Sequence, residues 1–414
     1  MSPESDGLAI ARMRIDDEAV AQTGSLDLGG LGLSVAPPGL LELTHLKSLN
    51  LGDEWRERMR TTIAPNQVDN WLGKLSALSQ LEELSVGQTD CARLDFIAGL
   101  PRLKWLSCRG AEVADLEPLA DLADLAWLNI SDTWISDLAP LAGATGLKHL
   151  ICENAAVKDL APLSGLGRLE QLVVCDTNVA DLAPLTGLVG LRGLWCGYSS
   201  VTDLGPLAGL GGLRALYCGG LPVADLEPIA GLTAIERLDC DRLPITNLEP
   251  FRALTALQSL GLARTAITAL DPVRDLVALR ELSCPNTKIA DLGPTSDLPD
   301  LRSLNCSFTS VTDLRPLAEL RYLESLRIIR TRVSDLGPLA ALCALRRLSF
   351  DETRVSDLTP LRGLSKLEFL SFVRTQVTDL SPLAELAALK RVSCAGCPVS
   401  SIPPGVPITD PADF

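Results

Sequence analysis

One period dominates the chain. Anchored on the leucine of V-x-D-L-x-P-L, the sequence returns to register every 22 residues from Leu116 to Leu380 without an insertion. The proline two residues on recurs in every one of those cycles, Pro118 to Pro382, and Leu94 and Ile402 extend the register by one cycle at each end. A fixed period of this length marks a solenoid, in which each repeat buries its apolar residues only against its neighbours. The 414 residues would otherwise suggest two or three domains; here they read as one array.

Most cycles also carry L-x-x-L-x-x-L-x-C, as in Leu100, Leu103, Leu106, Cys108 and again in Leu188, Leu191, Leu194, Cys196. The alternation Leu106-Ser107-Cys108 has strand period, with two side chains inward and one outward. Proline after D-L cannot extend a strand but suits the first turn of a helix or 3₁₀ segment. These motifs resemble the leucine-rich repeat, in the 22-residue variant of internalins and of a eukaryotic protein-phosphatase regulatory subunit. The resemblance covers about nine-tenths of the chain. It implies an α/β solenoid, a horseshoe with a parallel concave β-sheet and short helical or 3₁₀ turns on the convex side.

The expected organisation is a capping helix within residues 1–23, about 16–17 repeats over 24–402, and a proline-rich tail over 403–414. Within the first part, residues 7–22 are expected to cover the first repeat through Leu8, Ile10, Met13, Ile15 and Val20. Leu26-Asp27-Leu28 and Leu49-Asn50-Leu51 read as the first two strands. The step from Leu49 to Leu84 is 35 residues, one repeat plus 13. The excess is placed within 52–75, around Trp55, Arg56, Arg58, Arg60 and Trp71.

Charge and cysteine content exclude more than they suggest. A formal charge of −15 argues against broad contact with nucleic acid or an anionic membrane. Eleven of the 52 acidic residues are the aspartates of the D-L turns, Asp115 to Asp379, and the simplest reading is that each caps its own turn. Threonine mostly stands where the family has asparagine in the turn leaving the strand, Thr133 and Thr177 among them, and its hydroxyl can satisfy a buried backbone group. Eight cysteines, from Cys108 to Cys394, occupy the inward strand position and read as small core residues. Their number in so long a chain fits a reduced, cytoplasmic setting better than a disulfide framework. The lone C-x-x-C of Cys394 and Cys397 is weak as a zinc signal. Residues 1–23 lack the apolar stretch of a signal peptide, and no segment reads as membrane-spanning.

Nothing points to an enzyme. There is no phosphate-binding loop, no nucleophile elbow and no H-E-x-x-H, the two histidines are not expected to meet, and no cofactor or metal is implied. The informative residues are those aimed outward from the sheet. Trp105, Trp127 and His149 share one column, Trp195 and Tyr217 the next, with Tyr198 nearby. Further on, Arg327, Arg330, Arg347, Arg374 and Arg391, with Phe369, make a basic strip on an acidic chain. Either set could bind, or could merely stabilise the sheet by cross-strand stacking, with Asp351 and Glu352 neutralising the arginines.

The expected function is a non-enzymatic module binding a protein on its concave face, the arginines meeting an acidic or phosphorylated surface. A second reading rests on Ser25-Leu26-Asp27-Leu28-Gly29-Gly30-Leu31-Gly32-Leu33. With the Cys/Thr flavour of the repeats, this segment is similar to the leucine-rich arms of bacterial Roco proteins, which implies a sensor arm of a larger signalling system. A third, nucleic-acid or glycan stacking on the aromatics, is opposed by the net charge.

Overall fold

In the computed structural model, residues 3–52 and 64–409 are described. They form two compact units, residues 1–213 and 214–414. Trp55, Arg56, Arg58 and Arg60 lie outside the described residues.

The first unit opens with helix α1 (Pro3–Ala21), followed by β1 (Ser25–Asp27), β2 (Ser48–Asn50), β3 (Glu83–Ser85), β4 (Trp105–Ser107), β5 (Trp127–Asn129), β6 (His149–Ile151), β7 (Gln171–Val173) and β8 (Gly193–Trp195). Each strand pairs in parallel with the next at zero offset, so Leu84, Leu106 and Leu128 stand side by side. A strand of three residues cannot persist alone. The central leucine of each strand and the residue two positions on are fully buried, and each such side chain stabilises by roughly 1.5–3 kcal/mol.

Of the five residues expected to cover the first repeat from helix α1, only Ile15 is fully buried. Gly7, Ala11, Ile15 and Glu18 face inward, whereas Met13 and Val20 are exposed and Leu8 and Ile10 are half-buried. The reason is close approach: a Cβ on Gly7 would run into the carbonyl oxygen of Leu31, so the helix seats on its smallest residues. Glu18 completes the contact by accepting hydrogen bonds from the Gly24 amide (2.7 Å) and the Thr23 hydroxyl (2.5 Å), and it pairs with His45 Nε2 (2.9 Å). Beyond the undescribed stretch, buried Asn66 clamps three segments. Its amide donates to the carbonyls of Leu28 (2.8 Å) and Leu51 (2.7 Å), and its oxygen accepts from Leu33 N–H (2.8 Å). Trp71 is a core residue.

The second unit continues the same frame in β9 (Ala215–Tyr217), β10 (Arg237–Asp239), β11 (Ser259–Gly261), β12 (Glu281–Ser283), β13 (Ser303–Asn305), β14 (Ser325–Arg327), β15 (Arg347–Ser349), β16 (Phe369–Ser371) and β17 (Arg391–Ser393), again parallel and in register. In both units short 3₁₀ turns follow the D-L motif. Each aspartate from Asp115 to Asp379 accepts the amide two residues on, at 2.8 Å for Asp181 and Asp357. The turn threonines donate to the carbonyl three residues back, at 2.7 Å for both Thr177 and Thr353.

The outward column that holds Tyr198, Arg330 and Arg374 lies just past each strand, and its backbone conformation was not expected from sequence. Its residues are left-handed from Gln88 to Arg374, whether Gly110, Asp132, Tyr198, Phe308 or Arg330. The conformation aims the amide at the next repeat, as in Asp132 N–H to Glu153 O (2.9 Å) and Phe308 N–H to Ile329 O (2.7 Å). For a bulky side chain it costs roughly 1–2 kcal/mol, which the recurring backbone bond offsets.

Candidate partner-binding face

In the first unit, zero offset places Trp105 directly beside Trp127. Their rings stack with centroids 4.3 Å apart and planes 9° from parallel, and both residues are half-buried. Each ring therefore covers one face of the other. The cross-strand stabilisation considered from sequence is thus realised, at about 0.5–1.5 kcal/mol beyond area burial. His149 continues the column and its Nδ1 lies 3.1 Å from Gln171 Oε1. Trp195, one column over, folds back: its six-membered ring occupies the space above Gly193 that any side chain there would need. The aromatic strip thus runs Trp105, Trp127, His149, Gln171 and then Trp195. Tyr198 sits apart, at a left-handed φ of 55° and 53% exposed. Trp134, which the sequence reading passed over, is 77% exposed in a turn.

The second unit splits the basic strip into two kinds of arginine. Arg330 and Arg374 belong to the left-handed column, where Glu352 gathers them. Arg330 makes a bidentate pair with Glu352 (2.6 and 2.9 Å) and Arg374 lies 3.6 Å from it. The Arg330 hydrogen bond, outweighing desolvation, holds the Glu352 carboxyl below its ordinary range. Asp351, expected to share this duty, accepts instead from Ser371 Oγ (2.6 Å) and Val373 N–H (2.7 Å). Arg330 also lies over the Phe308 ring, and Arg347 over Phe369, each 5.3 Å from the centroid.

Arg327 and Arg347, by contrast, rise from strands β14 and β15 with no carboxylate within ion-pair distance among the described residues. Arg391 is exposed on β17. Arg327 and Arg347 stand at one end of a hollow of about 420 Å³ whose other end holds Tyr217, Asp239 and Asp241. Its floor is small: Ser259, Gly261, Ser283, Ser303 and Ser325, with Glu281 and Asn305 between. The signal for it was present as a run of serine and glycine in the two outward columns.

Most of the cysteines are buried core residues. All are free thiols, and Cys218 and Cys240 stand with sulfurs 3.9 Å apart, unbridged. Burial pushes the thiols of Cys91 and Cys306 up to about 12, so neither forms a thiolate at neutral pH. Among the described residues no cluster of ligating side chains could hold a metal, and no helix is long and apolar enough to cross a membrane.

Period, parallel ladder and turn chemistry together define a leucine-rich-repeat solenoid. A family model, leucine-rich repeats (two copies), matches residues 277–319. The repeat frame of the described residues is that of the leucine-rich-repeat fold. The chain is similar to the crystal structure of an internalin (InlF) of Listeria monocytogenes, with 29% identity and a TM-score of 0.67 over 71% of this chain and 87% of that one. A leucine-rich-repeat protein of Leptospira interrogans aligns at 19% identity and TM-score 0.70, over 92% and 93% of the two chains. The functional domain of Listeria monocytogenes InlJ, described as including a cysteine ladder, aligns at 20% identity and TM-score 0.63, over 88% and 77%. A comparison with curated protein sequences returns no match.

Proposed function

We propose that the chain is a non-enzymatic protein-interaction module that takes its partner on the strand-bearing face. The observation that carries this reading is a contrast within single columns. Serine occupies the strand positions 259, 303 and 325, so the fold needs nothing larger there. The same column holds Trp105, Trp127, Arg347 and Phe369, large side chains suited to anchoring a partner. Trp195, Tyr198, Tyr217 and His149 extend the aromatic contribution, and Arg327, Arg330, Arg374 and Arg391 the basic one. The stacking of Trp105 on Trp127 takes one face of each ring from a base or sugar, and the net charge of −15 opposes nucleic acid.

Both histidines are engaged in structural pairs, His45 with Glu18 and His149 with Gln171, which supports a binding role over catalysis. Unbridged, buried thiols support a reduced compartment such as a bacterial cytoplasm. The reading of a sensor arm in a larger signalling system has less support, since Ser25–Leu33 serves the first strand and the Asn66 clamp. The test is affinity capture from the source cell with the full chain beside Trp105→Ala/Trp127→Ala/Trp195→Ala and Arg327→Ala/Arg347→Ala variants. A partner retained by the wild type should be lost from at least one variant while circular dichroism stays unchanged. Equal capture by all three would overturn the reading.

A further inference from the structure

Most charges flanking the strand face are matched one strand over. Arg214 pairs with Glu236 (2.6 Å), Arg302 with Glu324 (3.1 Å), Arg346 with Glu368 (2.8 Å) and Arg330 with Glu352. The hollow of the second unit breaks this habit. Arg327 and Arg347 at one end, Asp239 and Asp241 at the other, and Glu281 on the floor between them have no ion-pair partner among the described residues. Arg237 shares the acidic end without ion-pairing there, leaving that end net negative. The carboxylates are held in place. Asp239 accepts the Asp241 amide (2.8 Å), Asp241 accepts the Ala263 amide (2.7 Å), and Glu281 accepts the Ser259 hydroxyl (3.2 Å). Burial raises the Asp241 carboxyl above its ordinary value, a penalty that an arriving cation would relieve.

The two ends are separated by a known number of strands. From β10 to β14 is four steps, about 19 Å at ~4.8 Å per strand. An extended polypeptide covers that distance in about six residues. Between the ends lie hydroxyls and one carboxamide, which can donate to or accept from a peptide backbone without demanding particular side chains. Opposite charges at the two ends repel a polyanion at one of them, which excludes nucleic acid and anionic membrane as occupants.

We propose that this hollow binds an extended peptide segment lying across the strands, with Lys or Arg against Asp239 and Asp241 and, about six residues away, a carboxylate or phosphate against Arg327 and Arg347. This rests on the strand face being a protein-binding surface, and it specifies which segment chemistry the second unit accepts.

The experiment is selection of a random dodecapeptide display library on the full chain, followed by fluorescence anisotropy with the enriched peptides. The expected result is enrichment of sequences with one basic and one acidic residue at this separation. Their affinity should fall about tenfold or more in Arg327→Ala/Arg347→Ala and in Asp239→Asn/Asp241→Asn. An Arg327→Glu/Arg347→Glu variant should recover binding when the peptide's acidic residue is exchanged for lysine, a rescue that a misfolded variant cannot give. Peptides without the charge pair, or affinities unmoved by these variants, overturn the proposal. If those affinities instead collapse in the triple tryptophan variant, the protein-binding reading survives and only the hollow is lost. No enrichment, or affinities untouched by either set, overturns both.

Discussion

Residues 105–195 and residues 237–347 fill the same outward columns of the same repeat, yet they resolve them in opposite ways. In the first unit the large side chains satisfy one another: Trp105 stacks on Trp127, His149 meets Gln171, and Trp195 lies over Gly193. In the second, charges of both signs stand apart across a floor of serine and glycine. The frame beneath is the same, with buried leucines in register and aspartate-capped turns. A repeat therefore fixes where a side chain stands and leaves open whether its neighbour completes it.

The comparison can be broken or sharpened by experiment. If the frame is equivalent in the two units, Leu128→Ala and Leu282→Ala should each destabilise by about 3 kcal/mol in urea unfolding. A large inequality would show that one unit carries more of the stability. Next, Trp127→Ala should cost about 2 kcal/mol through lost stacking and burial. Arg347→Ala should change the same midpoint by at most about 0.5 kcal/mol, since its cation–π contact is exposed. Equal effects would erase the distinction between a satisfied and an unsatisfied face.

A third prediction concerns pH. Burial alone would raise the Glu18 carboxyl, but hydrogen bonds from Thr23, His45 and Gly24 outweigh it and hold it below its ordinary value. Its contribution is therefore present above the ordinary carboxylate range and is lost as the pH falls through the lowered folded-state value. Hydrogen exchange in α1 and β1 should accelerate on acidification in the wild type. Glu18→Gln, weaker by about 1–2 kcal/mol at neutral pH, should show a flatter response. Last and smallest, Phe308→Gly should stabilise by up to about 1 kcal/mol by relieving a left-handed phenylalanine. A loss instead would mean that the Arg330–Phe308 contact outweighs the strain.

How much of this was legible follows from distance along the chain. The strands, the D-L turns and the threonine bonds are set by residues two or three apart, and the 22-residue period repeats the same evidence many times. On helix α1 Ile15 was legible, but the rest of the inward face was not, because it is set by the close approach of Gly7 to Leu31 and not by hydrophobicity alone. Asn66 bonds Leu28 and Leu33 from 38 and 33 residues away, across an interrupted register. At the arginines, sequence located the column but not the partner, because Asp351 and Glu352 are adjacent in the chain and turn to different neighbours. The backbone conformation of the left-handed column hid behind ordinary residues, glycine marking it among the described residues at positions 30, 110, 220 and 396. The pairing state of Arg327 and Arg347 depends on which rotamers reach across strands, and no spacing rule states that.

Zero-offset stacking also makes the repeat a unit of length. Removing 22 residues between β10 and β14, such as 262–283, would leave every leucine in its column while bringing the acidic and basic ends of the hollow closer by one strand spacing, about 4.8 Å. Adding one would part them by the same step. Such a chain can retune the span between two fixed chemical contacts by gaining or losing whole repeats, without redesigning either contact, much as a ruler is changed by a notch.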